Sequence, residues 1–162
     1  MNGELMTDAG EGVAALEAEV SSRIGTFLKR AEQALIAEKT RVLRPFDLTV
    51  AQYAAMLALH YAPGQSAAQL ARAAAVTPQT MAAVLGSLES KQLIERVVST
   101  LHAKVLVVTL TDAGEDLVMK ADVEAKAVEA RLKRAFTAPE SMALISLLER
   151  SIDALAPIAE VP

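Results

Sequence analysis

The run Thr77-Pro78-Gln79-Thr80-Met81-Ala82-Ala83-Val84-Leu85-Gly86-Ser87-Leu88 leads, through Glu89-Ser90-Lys91-Gln92-Leu93, into Ile94-Glu95-Arg96-Val97-Val98-Ser99, and the hydrophobic period changes between the two. In the first run Met81, Val84, Leu85 and Leu88 recur at helical spacing, which places them on one face of an α-helix. Thr77 supplies an N-cap oxygen, and Pro78 takes the first helical position, where its missing N–H costs nothing. A helix over residues 78–91 is expected. Residues 94–99 and 104–110 are instead β-branched and apolar, with Thr100, Leu101, His102 and Ala103 between them. Two strands joined by a short loop are predicted there.

Working toward the N-terminus, Ser66-Ala67-Ala68-Gln69 and Thr49-Val50-Ala51-Gln52 both have the spacing of a capping box, in which hydroxyl and amide satisfy orphan backbone groups reciprocally. They open short helices that end near residues 74 and 61, with Pro63-Gly64 as the turn between them. Before these, Val13, Leu16, Val20, Ile24, Phe27, Ala31, Leu35 and Val42 mark one long amphipathic helix over residues 11–44, ended by Pro45. Residues 1–10 are expected to be mobile. Toward the C-terminus, Thr111 caps a long helix to about residue 136, with Leu117, Ala121, Val128, Leu132 and Phe136 on one side. Thr137-Ala138-Pro139-Glu140 starts a last helix carrying Met142, Ile145, Leu148, Ile152 and Leu155.

The chain has 162 residues, 52% of them hydrophobic but only 3% aromatic, so its core is built of Ala, Leu and Val, and a mainly helical single unit follows. With no cysteine, disulfides, thiolate metal sites and cysteine nucleophiles are excluded. Residues 48–88 carry one charge, Arg72, yet Pro63-Gly64 and several Gln and hydroxyl side chains interrupt the run, so it does not read as a membrane span. Glu4, Asp8 and Glu11 with no early cation do not read as a secretory signal, and a cytoplasmic location is expected. The net charge is −4, and only residues 45–111, with 4 basic and 3 acidic side chains, have a positive balance. Electrostatics alone does not suggest a polyanion as partner.

Three short helices, then a hairpin, with long helices on both sides, is the layout of a winged helix-turn-helix. The ordered runs Leu48-Thr49-Val50-Ala51-Gln52-Tyr53, Ser66-Ala67-Ala68-Gln69-Leu70-Ala71, Val76-Thr77-Pro78-Gln79-Thr80-Met81, Leu88-Glu89-Ser90-Lys91-Gln92-Leu93-Ile94-Glu95-Arg96 and Val107-Val108-Thr109-Leu110-Thr111-Asp112-Ala113-Gly114 resemble the MarR family of bacterial transcriptional regulators. The resemblance implies a mainly α fold with a small β-hairpin wing. Residues 45–111 would form the winged helix-turn-helix DNA-binding domain, and residues 11–44 and 112–162 the flanking helices through which a homodimer forms. It further implies a cytoplasmic repressor that grips a near-palindromic operator in double-stranded DNA and needs no cofactor.

On that reading Gln79 reads a base, because its amide can pair bidentately with the N6/N7 edge of adenine. Thr77 and Thr80 suit phosphates at the positive end of the helix, and Ala83 and Ser87 face the groove. Arg72 and Arg96 are candidate phosphate contacts. The helix carries no basic residue between Pro78 and Ser90, a departure from the family that points to methyl contacts and DNA shape as its means of reading. At the wing, the resemblance aligns His102 and Lys104 with the family's Asp-x-Arg, so Lys104 enters the minor groove with the charge of arginine but without its planar fork. His102 is either a pH-sensitive contact or a solvated loop residue. Ser66 and Gln69 read as caps.

Family members often bind aromatic acids between the helical frame and the DNA-binding lobe, and Arg41, Phe46, Tyr53, His60 and Tyr61 lie where such a small aromatic ligand would enter. The alternative is that Phe46 and Tyr53 are core and His60 is hydrogen-bonded within the fold. No nucleophile with its base, metal cluster or phosphate cradle is visible, so an enzyme is not expected. The competing functional class is a winged-helix module whose DNA surface has degenerated and whose small apolar patch, Ala82, Ala83 and Gly86, binds a protein.

Overall fold

The computed structural model describes residues 4–98 and 106–156. The chain runs α1 (Glu4–Ser22), α2 (Ile24–Leu43), a 3₁₀ turn (Arg44–Phe46), α3 (Val50–Tyr61), α4 (Ala67–Ala73), α5 (Pro78–Ser90), β1 (Ile94–Val98), β2 (Leu106–Leu110), α6 (Asp112–Arg134) and α7 (Ala138–Leu155). The two strands form an antiparallel hairpin with Arg96 opposite Val108. A mainly helical winged helix-turn-helix is therefore what the sequence builds.

One correction concerns the N-terminal helix. It begins at Glu4 rather than near residue 11, and it is two helices, broken at Arg23, whose φ of −85° and ψ of 121° are extended. The physical reason is local competition for the backbone: the Ser22 hydroxyl donates to the Glu19 carbonyl at 2.8 Å, the Arg23 guanidinium folds back onto the Glu19 carboxylate at 2.9 Å, and Gly25 follows in the next turn. The apolar stripe continues across the break, so periodicity alone conceals it.

The capping signals are realised as read. Gln52 N donates to Thr49 Oγ1 at 3.1 Å and Thr49 N to Gln52 Oε1 at 2.9 Å, and Ser66 with Gln69 closes a second box. Thr77 caps α5, Thr111 caps α6, and Thr137 with Glu140 caps α7. The core gathers Leu43, Met56, Leu59, Leu70, Met81, Leu85, Leu88 and Val118, all fully buried and each contributing about 1.5–3 kcal/mol. Helix α3 lies at its centre, packed on α2, α4, α5 and α6.

Among the described residues one extra bridge widens the sheet: Val108 N donates to Gln65 O at 2.9 Å, and Gly64 N to Val108 O at 3.1 Å. Where the hairpin meets α6, the backbones touch at Gly114, and a Cβ there would lie 2.0 Å from the Leu93 carbonyl oxygen. On α6 the buried stripe is Val118, Ala121, Ala125 and Val128, whereas Leu132 and Phe136, expected on the same side, remain exposed. Helix α7 buries no residue at all, and its Met142, Ile145, Leu147, Ile152 and Leu155 all face outward.

Candidate nucleic-acid interface

Helix α5 is held from beneath by Met81, Val84, Leu85 and Leu88, the stripe that the sequence predicts. Gln79, Thr80, Ala82, Ala83 and Gly86 consequently point to solvent. At its N-terminus Thr80 N donates to Thr77 Oγ1 at 3.1 Å, and the two hydroxyls are 2.8 Å apart. One of the orphan donors at the positive end of the helix is thus satisfied by Thr77, while Gln79 stands free at the edge of the face.

Other expected contacts are placed differently. Ser87 does not belong to the outward face, because it is half-buried and its hydroxyl accepts a 2.9 Å hydrogen bond from Gln52 Nε2. Arg96 is exposed, but its Nε lies 3.2 Å from Glu89 Oε2, so the cation nearest the root of the wing is already paired. Arg72 is exposed in the last turn of α4, with no ion pair among the described residues. Ser66 and Gln69 serve as caps. His102 and Lys104 lie outside the described residues.

The residues expected around a ligand converge only in part: Tyr53 and Tyr61 line one crevice, and Arg41, Phe46 and His60 are not in its lining. Arg41 is exposed and forks onto Glu38, with Nη2 to Oε1 at 2.7 Å and Nε to Oε2 at 3.1 Å. That hydrogen bond, opposed by partial burial and reinforced by Arg131 at 3.0 Å, holds the Glu38 carboxyl down at about 2. Phe46, the last residue of the 3₁₀ turn, packs against the core. His60 is half-buried, with Nδ1 2.5 Å from Glu115 Oε1. Tyr53 is buried, and its hydroxyl donates to Asp122 Oδ1 at 2.7 Å. For His60 and Tyr53, internal hydrogen bonding is what the structure shows.

Of the five residues expected there, Tyr53 and Tyr61 line a crevice, a cavity of about 470 Å³ between α2, α3 and α6 that also presents Lys39, Leu57, Asp122, Lys126 and Glu129. Sequence reasoning missed Lys39, Asp122 and Lys126, which sit on helices far apart in the chain. Asp122 is only 3% exposed. Burial raises its pKa, but hydrogen bonds from Lys126, 2.5 Å away, and from Tyr53 outweigh this and hold it below the usual carboxylate range. Burial and the Asp122 hydrogen bond push the Tyr53 phenol well above its ordinary range. A second cavity of about 520 Å³ opens beside the 3₁₀ turn, lined by Ile36, Thr40, Arg44, Thr49, Gln52 and Lys91.

Among the described residues no group of His, Asp or Glu is placed to hold a metal ion, and no helix is long and apolar enough to cross a membrane. Residues 46–104 match the model of the MarR family. The HTH-type transcriptional repressor Rv2887 of Mycobacterium tuberculosis is 35% identical over 127 residues, which cover 78% of this chain and 91% of the relative. The chain belongs to the MarR family.

Solved MarR proteins share the architecture described above. Rv2887 of Mycobacterium tuberculosis in complex with salicylic acid superposes with a TM-score of 0.62 at 34% identity, covering 79% of this chain and 95% of that one. The repressor CouR, solved on a 23-mer DNA duplex, gives a TM-score of 0.73 at 27% identity, covering 82% of this chain and 94% of that one.

Proposed function

We propose that this MarR protein is a sequence-specific transcriptional repressor that binds a near-palindromic operator as a homodimer. The observation that carries the reading is the presentation of α5: a capped helix fixed by four buried apolar side chains, with Gln79, Thr80 and Ala83 facing out beside a β-hairpin wing. That is the posture of a helix entering a major groove. Gln79 reads adenine, Thr77 and Thr80 hold phosphate, Arg72 and Lys104 add charge, and His102 flanks the wing contact. A relative named as a transcriptional repressor and a relative solved on DNA support it.

The homodimer is supported by the helices that residues 11–44 and 112–162 contribute. Ile24 and Phe27 on α2, Leu132 on α6, Phe136 just after it, and Ile145 and Ile152 on α7 are all exposed in the protomer, an apolar surface of the kind that oligomer interfaces bury. Release by a small aromatic acid is supported by the salicylic acid complex of Rv2887 and by the crevice at Tyr53, where Lys39 and Lys126 line the wall in ion pairs with Glu129 and Asp122 that an acid ligand would have to displace. The reading needs no catalytic step and no cofactor, and it places the protein in the cytoplasm.

The deciding experiment is a selection of genomic fragments by the purified protein, followed by footprinting. Enrichment of a two-fold site with half-sites about one helical turn apart supports the reading. The uncharged patch of Ala82, Ala83 and Gly86, and the pairing of Arg96 with Glu89, favour a protein-interaction module as the second reading. Retention of all fragments no better than bulk DNA at low salt would transfer the assignment to it.

A further inference from the structure

Among the described residues, only Gln52 and Asp122 are polar side chains buried in the core, at 6% and 3% exposure. Asp122 is accounted for by Tyr53 and Lys126. Gln52 does more than its cap requires. Its Oε1 accepts from Thr49 N at 2.9 Å, which completes the capping box, and a glutamate at that position would do the same. The other end of the amide, Nε2, reaches across to α5 and donates to Ser87 Oγ at 2.9 Å, a contact between residues 35 positions apart.

We infer that Gln52 is a positioning residue for the recognition helix, fixing through Ser87 the rotation and height of α5 on α3; this rests on the proposed reading of α5 as the DNA-reading element. Apolar contacts from Met81, Val84, Leu85 and Leu88 are non-directional and tolerate sliding. The amide-to-hydroxyl bond is directional, and turning α5 by one residue leaves the donor of the buried Gln52 unpaired, at a cost above that of a shifted methyl group. The same end of α5 has a second tether, since Lys91 Nζ lies 2.5 Å from Asp47 O and 2.8 Å from Asp47 Oδ2. Both tethers run to residues 47–52. The next residue, Tyr53, is itself bonded to α6. The C-terminal half of α5 is therefore pinned to the segment that joins it to the frame, while the half bearing Gln79, Thr80 and Ala83 projects from that pivot. In a two-fold dimer, the placement of each pivot sets the distance between the two reading faces and hence the half-site spacing that fits.

The experiment compares wild type, Ser87→Ala and Ser87→Thr on the selected operator and on versions with one base pair inserted or removed between half-sites. Hydrogen exchange on the DNA-free dimers is measured alongside. Expected for Ser87→Ala is faster exchange in α5 with α6 unchanged, a roughly three- to tenfold loss on the native spacing, and weakened preference over the altered spacings. Ser87→Thr, which keeps the hydroxyl, restores both. Equal loss at every spacing with unchanged α5 exchange overturns the inference and makes Ser87 a direct DNA contact. Unchanged affinity and exchange also overturn it. If wild type selects no operator, the DNA reading fails and the positioning role falls with it, while the exchange data still report whether the tether exists.

Discussion

Tyr53 Oη and Asp122 Oδ1, 69 positions apart in the chain, meet at 2.7 Å and tie α3 to α6. Removing the hydroxyl in Tyr53→Phe leaves a buried carboxylate short of one partner, and about 1–3 kcal/mol of stability should be lost at neutral pH. The pH dependence has a defined sign. Asp122 has a folded pKa below its unfolded value, so its contribution is present above the ordinary carboxylate range and is lost as pH falls through the folded pKa. Tyr53 is shifted the other way, so its contribution holds below the ordinary phenol range and is lost as pH rises through the alkaline range. Urea unfolding at pH 3, 7 and 10.5 should show wild type losing more of its neutral-pH stability than Tyr53→Phe at both extremes.

Gly114→Ala tests the junction of wing and frame. A methyl group 2.0 Å from the Leu93 carbonyl oxygen cannot be accommodated without separating β1 from α6. The expected cost is about 3 kcal/mol, at the upper end of overpacking, read as a lowered urea midpoint with an unchanged slope.

Gln79→Ala and Lys104→Ala should fail differently on the operator. The first removes a bidentate partner and should cost about 1–3 kcal/mol at a single base position while leaving the salt dependence intact. The second should weaken binding to all sequences and reduce the slope of log affinity against log salt by about 1. Titrations at several salt concentrations, on operators permuted one base at a time, separate them.

Glu89→Gln should strengthen DNA binding. The substitution releases Arg96, now 3.2 Å from the Glu89 carboxylate, and removes an acid from the end of α5. A steeper salt slope, by about 0.9 per phosphate gained, is the expected signature. An unchanged slope would mean that Arg96 does not reach the backbone of the duplex.

Ile145→Glu and Ile152→Glu test the self-association surface. Both side chains are exposed in the protomer, at 57% and 69%, so a charge there costs little unless a second copy covers it. Sedimentation equilibrium should show the dimer weakened about a hundredfold or more, because a carboxylate would be buried without a partner. No change in association would remove α7 from the interface.

What the sequence made legible is what short-range chemistry controls. Thr49 with Gln52, Ser66 with Gln69, and Thr77 before Pro78 announce helix starts because cap and partner lie within one turn. The stripe on α5 is legible for the same reason. Contacts between distant positions are not: Ser87 looks like any outward serine until Gln52 is seen across from it, and Arg96 looks free until Glu89 is placed beside it. The break at Arg23 is hidden by an uninterrupted apolar period, and the Gln65 bridge is a single residue pair with no pattern to detect. The crevice at Tyr53 draws Lys39 and Asp122 from helices 83 positions apart, so pairing the first two helices could not reveal it.

The absence of any cation along α5, on a chain of net charge −4, bears on how such a repressor finds its target. Weak attraction to the phosphate backbone makes each random landing brief, so little of the pool is sequestered by the rest of the chromosome. Searching then proceeds by hops through solution rather than by long one-dimensional scans.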